Sequence, residues 1–367
     1  MSPHTTSTRS APHAWSYDEV AAILSSASAD EVVVEVATSG STGTPKVARL
    51  TAGAITASAR ATLDVLGGPG RWLLATPTTH IAGIQVLVRS VLAGVRPVTV
   101  EGRFTVTSFA AAVAQLGEQR RYAALVPTQV RRLLDRPEGR SALAGLDTVL
   151  VGGAAVPATL RAEAKDVGAH LVATYGMSET AGGCVYDGRP LPVTRMRIAD
   201  PDAHGVGVIE LSGATLALGY ADRPAQSATA FRTEPDGSRW FRTDDLGSID
   251  AGVLTVLGRR DDVINTGGLK VAPAVVEEAV STAYPQLADR CVVVGLPDPL
   301  WGEAVTLVVA AAPAPALEQV RARLRPLLPP TALPTRVETV ERIPRLGPGK
   351  PDRRSVRALV SSRATGR

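Results

Sequence analysis

Three of the four lysines in this chain lie in or beside glycine-rich segments, although arginine supplies thirty-five of its thirty-nine basic residues. Lys46 closes Thr38-Ser39-Gly40-Ser41-Thr42-Gly43-Thr44-Pro45-Lys46, Lys270 follows Thr266-Gly267-Gly268-Leu269, and Lys350 ends Arg345-Leu346-Gly347-Pro348-Gly349-Lys350. Lysine is a compact, mobile point charge where arginine is a rigid planar fork, so this placement points to contacts with phosphate oxygens. The Thr38–Lys46 segment adds hydroxyls and backbone amides of the kind that cradle phosphates. It is not a Walker A loop: counted from Gly40, Pro45 stands where that motif needs glycine, and Val47 follows Lys46 in place of serine or threonine. A Ser/Thr/Gly linker is the plain alternative. A linker, however, would not follow the β-branched run Val32–Val36 and end in Pro-Lys.

Two further segments carry chemistry. Tyr175-Gly176-Met177-Ser178-Glu179-Thr180 puts an aromatic plane, a carboxylate and a hydroxyl within one turn of chain. Alone it reads equally well as a turn with a packed tyrosine. Beside a phosphate-type loop it suggests base stacking, Mg²⁺ binding and a phosphate contact. Phe241-Arg242-Thr243-Asp244-Asp245-Leu246-Gly247 contributes paired carboxylates, suited either to ribose hydroxyls or to capping a turn. His80 lies between two apolar runs, where a lone histidine is more often structural than catalytic, and Arg89 reads as either a solvated helix face or a buried cation. Cys184, between Gly183 and Val185, reads as a small packed hydrophobe and not as a nucleophile.

The elements that must position these residues follow a βαβ rhythm. Val32–Val36 runs into the phosphate-type loop, and Tyr122–Val126 stops at Pro127, with Thr128 placed to cap a helix carrying Val130, Leu133 and Leu134. Thr148–Val151 runs into Gly152-Gly153, Pro157 opens a helix through Val167, and His170–Ala173 delivers the Tyr175 segment. Ligands of such sheets gather outside the carboxyl ends of the strands, so these loops point at one crevice. The predicted fold is α/β: a large N-terminal domain with mostly parallel sheets over 1–258, including a small β subdomain over 200–258, then a smaller α/β domain over 263–367. The small domain is expected to hold a helix near Pro273–Ala283, strands near Cys291–Val294 and Ala304–Ala311, and a helix near Ala316–Leu327.

Composition excludes several classes. With 367 residues, 45% of them hydrophobic, the chain can build two well-packed domains. The formal charge of +4 is spread among interspersed acids and bases, and aromatics make up only 4%, which argues against a nucleic-acid partner. Two cysteines cannot form a disulfide framework, and their spacing from the five histidines is not that of a zinc site, so a reducing cytoplasm is expected. The most apolar stretch, Ile81–Val100, is interrupted by Arg89 and Arg96, so no membrane insertion is expected.

Taken together and in this order, five segments resemble the adenylate-forming superfamily of acyl- and aryl-CoA ligases, adenylation domains and luciferases: Thr38–Lys46, Tyr175–Thr180, Thr243–Asp245, Gly258–Asp262 with Gly267-Gly268, and Gly347–Lys350. The resemblance spans Val32 to Arg354. Within that superfamily, Thr76–Gly83, Leu125–Gln129, Val151–Ala154 and Tyr175–Gly188 look most like the o-succinylbenzoate-CoA ligases of menaquinone biosynthesis.

The resemblance implies an ATP-dependent ligase that forms an acyl-adenylate and then a CoA thioester, with ATP, Mg²⁺, coenzyme A and a small carboxylic acid as its partners. Thr38, Ser39, Gly40, Ser41, Thr42, Gly43, Thr44 and Lys46 would hold the outer phosphates, and Tyr175 with Gly176 would lie against adenine beside Gly152, Gly153 and Ala154. Glu179 would bind Mg²⁺, Thr180 the α-phosphate, and Asp245 with Arg259 the ribose. His80, Arg89, Gly182 and Gly183 would line the acyl pocket, with Arg89 a candidate for the carboxylate that does not react. Residues 259–262 would form a hinge centred on Asp261, about which the C-terminal domain moves to exchange catalytic Lys350 for a pantetheine tunnel at Gly267-Gly268. Two features depart from the pattern: Asp244 stands where the family usually has glycine, and only 37 residues precede Thr38, which implies a trimmed N-terminal subdomain. Alternatives are another aryl- or acyl-CoA ligase, a stand-alone adenylation domain, or a non-catalytic nucleotide-binding regulator. A homo-oligomer is compatible with all of them.

Overall fold

The computed structural model describes residues 13–38, 46–288, 290–310, 313–346 and 350–364. Its largest sheet orders seven strands as 98–99, Arg71–Leu74, Arg121–Leu125, Thr148–Val151, Leu171–Met177, Gly182–Tyr186 and 189–190. The first five are parallel, and the last two fold back antiparallel. Every residue of Thr148–Val151 is buried, as expected of a parallel strand covered on both faces. Helices Val106–Val113, Pro127–Leu134, Pro137–Ala144 and Ala158–Asp166 cover one face through Phe109, Leu133, Leu143 and Leu160. Ala52–Val65 and Ile81–Leu92 cover the other, over Trp72, Tyr122 and Leu150.

The helix after Arg121–Leu125 corrects one expectation. Thr128 does not cap it: the helix starts at Pro127, and the Gln129 side chain accepts a hydrogen bond from the Val126 backbone N–H at 3.0 Å. Proline is preorganised for the first helical position, which moves the start one residue earlier.

Val32–Ala37 and Val47–Thr51 pair antiparallel, so the phosphate-type segment is the connection of a hairpin, and the short strand Gly219–Tyr220 adds to its edge with Tyr220 opposite Ala48. An all-antiparallel sheet comprises Thr194–Ala199, Gly207–Gly213, Arg239–Asp250, Phe231–Thr233 and Val253–Arg259. Its first strand lies before residue 200. Residues 239–250 form one long strand, Arg239–Asp250, whose register with Val253–Arg259 shifts between Leu246 and Gly247. A bulge absorbs the turn-like composition without breaking the strand.

After Val263 the chain builds a second core around Ile264, Val276, Val280, Val305 and Leu307, with Val292, Val294, Val356 and Val360 on the other side of its sheet. Here the helix Pro273–Ala283 has the expected limits, while the strands are Cys291–Asp298 and Gly302–Ala310 and the next helix is Leu317–Leu324. Arg353 ties the last helix to this core: its guanidinium donates to Glu277 at 2.7 Å and lies 3.7 Å from Asp262. The N-terminal end of Ala158–Asp166 meets this unit where the Ala158 N–H donates to Glu278 at 3.2 Å.

One packing constraint at the crevice is absolute. A Cβ on Gly176 would sit 2.1 Å from the Gly182 carbonyl oxygen. Gly176→Ala should therefore cost on the order of 2 kcal/mol or more by forcing the two strands apart. Thermal unfolding checks this, and an unchanged midpoint would show that the strands are not held this close.

Candidate active site

The strand Leu171–Met177 carries Tyr175 to the crevice, half-buried against Cys184, Val185 and Ile209. Its hydroxyl donates to Asp245 Oδ2 at 2.8 Å. Burial, reinforced by Asp245, pushes the phenol well above its usual range, so it stays protonated as a donor. One residue earlier, Thr174 closes on the backbone of the Gly152-Gly153 turn. A Cβ on Gly152 would meet Thr174 Oγ1 at 2.4 Å, Gly153 has φ +80°, and Gly153 and Ala154 are exposed. Such surroundings suit a flat group lying on backbone.

Beyond Met177 the chain makes a single 3₁₀ turn, Ser178–Thr180. Thr180 is fully buried; its hydroxyl accepts from the Met177 N–H at 3.0 Å and donates to the Gly182 carbonyl at 2.8 Å. A side chain so engaged shapes the turn and offers nothing to a phosphate. Ser178, beside Glu179, is half-buried and its hydroxyl makes no hydrogen bond among the described residues, so it is the hydroxyl available in this turn. The sequence holds both hydroxyls, but only the turn decides which one is buried.

Glu179 is 8% exposed and accepts a hydrogen bond from the Tyr220 hydroxyl at 2.9 Å. Burial raises its carboxyl above the usual range, opposed by its own backbone N–H, Tyr220 and Lys46. Lys46 Nζ lies 4.9 Å from the centroid of the Tyr220 ring. Thr38 donates its N–H to the Lys46 carbonyl at 2.7 Å, closing the mouth of the hairpin, and Thr38 Oγ1 is buried without a partner among the described residues. Ser39, Gly40, Ser41, Thr42, Gly43 and Thr44 lie outside the described residues.

Asp245 pairs with Arg259 across adjacent strands and interacts electrostatically with its guanidinium, whose direct contacts are to two other carboxylates. Its Nε donates to Asp261 at 2.9 Å, and Nη2 lies 3.2 Å from Asp244. Asp244, the residue that departs from the family pattern, is thus an anchor for the segment after Val253–Arg259, and Arg260 supplies a second ion pair to it at 3.8 Å.

The helix Ile81–Leu92 forms the other wall. His80 precedes its first turn and is exposed, with no side-chain cap. Gln85 donates to the Ala181 carbonyl at 2.8 Å and to that of Ile55 at 3.2 Å, and its Cγ is 3.3 Å from where a Cβ on Gly182 would be. Gly183 is pressed against Thr174, whose Cβ would be 3.0 Å away from an added methyl. One turn further along, Arg89 is only 3% exposed, which excludes a solvated helix face. Its Nη2 donates to Thr62 Oγ1 at 3.3 Å, its guanidinium lies 4.9 Å from the Trp72 ring centroid, and its Nε has no partner among the described residues. No carboxylate forms an ion pair with it among the described residues. Burial accordingly lowers its pKa. Thr62 links Arg89 to Tyr186, whose hydroxyl is 2.9 Å from Thr62 Oγ1, and sequence reading gave neither Thr62 nor Tyr186 a role. Cys184 is fully buried with its thiol pushed up to about 12 by burial, which leaves it unreactive.

Thr38, Lys46, Tyr175, Glu179, Asp245 and Arg259 thus gather around the carboxyl end of Leu171–Met177. Gly267 and Gly268 turn the hairpin between Ile264–Thr266 and Leu269–Val271 with φ +57° and +79°, and the Gly267 N–H donates to the Trp301 carbonyl at 2.9 Å. Lys350 pairs through its backbone with Leu346 in a two-stranded ribbon. The Lys350 side chain and Gly347–Gly349 are outside the described residues.

The family model described as AMP-binding enzyme matches residues 3–221, and that of the AMP-binding enzyme C-terminal domain matches residues 276–350. The chain belongs to the AMP-binding enzyme family. Within that family it is 47% identical over 332 residues to a probable 2-succinylbenzoate–CoA ligase of Mycobacterium tuberculosis, covering 88% of this chain and 83% of the relative. It is also similar to the o-succinylbenzoate CoA synthetase of Bacillus subtilis in complex with the acyl-adenylate intermediate OSB-AMP, with a TM-score of 0.79 and 27% identity over 90% of this chain and 70% of that one. The same Bacillus subtilis enzyme in complex with ATP and magnesium ion matches with a TM-score of 0.78 and 26% identity, over 89% of this chain and 70% of that one.

The 3₁₀ turn separates the two hydroxyls experimentally. Thr180→Val should lower the thermal midpoint through loss of two buried hydrogen bonds, about 1 kcal/mol each. Ser178→Ala should leave the midpoint in place and raise KM for ATP. The opposite pattern would return Thr180 to the phosphate.

Proposed function

We propose that this AMP-binding enzyme is an AMP-forming acid–thiol ligase that activates o-succinylbenzoate as its acyl-adenylate and transfers the acyl group to coenzyme A, a step of menaquinone biosynthesis. The observation that carries the substrate is Arg89, a guanidinium buried under the helix Ile81–Leu92 without a carboxylate partner among the described residues. A buried charge without a counterion is costly, and o-succinylbenzoate brings a second carboxylate that can supply one. The 47% identity to a probable 2-succinylbenzoate–CoA ligase supports the same choice.

A carboxylate acylates poorly, so it must first become a mixed anhydride by attack on the α-phosphorus of ATP, with pyrophosphate leaving. Negative charge grows on phosphate oxygens in that step, and the protein contributes by position and electrostatics. In this reading Tyr175 lies against adenine, Asp245 accepts from the ribose, Lys46 and the Thr38 hydroxyl hold outer phosphate oxygens, Ser178 contacts the α-phosphate, and Lys350 stabilises the transition state. Glu179 fits Mg²⁺, because that ion takes one or two carboxylates together with nucleotide phosphates, and no cluster of three His, Cys, Asp or Glu occurs among the described residues to hold it otherwise. When bound, Mg²⁺ neutralises charge on the phosphate oxygens. CoA would then approach along Gly267-Gly268 after the C-terminal unit turns about Asp261, which requires the Arg259–Asp261 pair to rearrange. No helix among the described residues is long and apolar enough to cross a membrane. Two buried free thiols suit the reducing cytoplasm in which we place the enzyme.

The test is pyrophosphate release and thioester formation with ATP, Mg²⁺, CoA and a panel of acids: o-succinylbenzoate, its analogue without the ring carboxylate, benzoate and a medium-chain fatty acid. Turnover of o-succinylbenzoate is expected, and turnover of another acid alone would leave another acyl-CoA ligase as the reading. Arg89→Met should lower kcat/KM for o-succinylbenzoate by about 10² or more, the scale of a lost buried charge pair, with little change for the analogue. Equal losses for both acids would make Arg89 structural. Lys350→Ala should slow adenylation by about 10² to 10³ while sparing thioester formation from supplied acyl-adenylate; equal loss in both half-reactions would remove Lys350 from the first.

A further inference from the structure

Tyr220 stands between two groups that nothing in the chain's local sequence brings together. It is 6% exposed, and its hydroxyl donates to Glu179 Oε1 at 2.9 Å while Lys46 Nζ lies 4.9 Å from its ring centroid. One side chain therefore touches both the carboxylate assigned to Mg²⁺ and the ammonium assigned to the outer phosphates. We propose that Tyr220 is a positioning residue that sets Glu179 and Lys46 at the spacing a Mg²⁺-bound triphosphate requires. This rests on the ATP-dependent reading given above.

The position of Tyr220 is held from every side. Its backbone pairs with Ala48, two residues after Lys46, and its N–H donates to Ser227 Oγ at 2.8 Å. The Ala217 N–H donates to the Glu179 carbonyl at 2.8 Å, so the segment before Tyr220 is bonded directly to the turn that carries the carboxylate. The ring packs edge-on against Phe231 at 5.6 Å, and Phe231 stacks on Phe241 at 4.8 Å. A phenol fixed this rigidly has lost its rotational freedom before ligand arrives, so the geometry it imposes on Glu179 and Lys46 is preorganised. The two contacts use different parts of the side chain. The hydrogen bond needs the oxygen and orients one carboxylate oxygen. The cation contact needs only the ring face. A packing residue would show no such division, because losing its oxygen or its ring would affect all ligands alike through stability.

The experiment separates the two parts by calorimetric titration of the full chain with ATP, once with Mg²⁺ and once with chelator. Tyr220→Phe keeps the ring and removes the oxygen, so MgATP should bind about tenfold more weakly, the scale of a hydrogen bond to a charged group, while Mg²⁺-free ATP binds as in the parent. Tyr220→Leu removes the ring too, and should weaken Mg²⁺-free ATP as well, by about threefold for a partly exposed cation–π contact. In a Glu179→Gln background, which retains the packing, the effect of Tyr220→Phe on MgATP should disappear. Equal weakening of both ATP forms by Tyr220→Phe, no weakening of either, or an undiminished effect in the Glu179→Gln background would overturn the proposal. Should Tyr220→Leu not fold, the Phe variant and the double variant still decide it. If the parent itself binds no ATP, the ATP-dependent reading fails; if it binds and the variants do not discriminate, only the role of Tyr220 fails.

Discussion

A carboxylate at 8% exposure has lost most of its hydration, which raises its pKa, and the contacts that oppose this rise at Glu179 also organise the crevice. Its hydrogen bond from Tyr220 requires the edge strand Gly219–Tyr220 to join Val47–Thr51, which in turn sets where Lys46 emerges from the hairpin. The turn that carries it is closed by Thr180, whose hydroxyl serves the Met177 N–H and the Gly182 carbonyl. The approach of Gly176 to Gly182 leaves that turn no alternative path. Tyr175, immediately upstream on the same strand, is aimed at Asp245 by the same geometry.

At Arg89 the charge arrangement is reversed. Glu179 has a cation nearby, whereas Arg89 has a hydroxyl and an aromatic face but no anion among the described residues. Inside a protein such an imbalance is stored electrostatic free energy, released when a ligand supplies the missing charge. In the reading proposed above, phosphates lie beside Lys46 and a substrate carboxylate beside Arg89, the charge distribution of a diacid joined to a nucleotide. The connection to the C-terminal unit follows a different rule. Arg259 and Arg260 hold Asp244 and Asp261 by part-exposed ion pairs, which are individually weak. Arg353 pairs with Glu277 within the C-terminal core.

Sequence by itself determined the ingredients and their order. The β-branched runs ending in glycine announced strands that deliver loops to one edge, because period and punctuation are local properties. The spacing of lysine, glycine and hydroxyl residues in Thr38–Lys46 pointed to phosphate chemistry without any fold, and Tyr175–Thr180 did so only beside it. Composition excluded a membrane span and a disulfide framework for the same reason.

Tertiary structure decided which of those ingredients face a ligand. Thr180 and Ser178 are two residues apart and chemically alike, and only the 3₁₀ turn buries one and leaves the other available. Arg89 read equally as a solvated charge until Trp72, Thr62 and Tyr186 closed around it from three other elements. Arg259 meets Asp244 and Asp261 while its strand pairs it with Asp245, a register no local pattern states. Tyr220 carried no signal in its own sequence, since its partners Lys46 and Glu179 are 174 and 41 positions away. Contacts of that span depend on which strand edges meet, and chain order does not encode which edges those are.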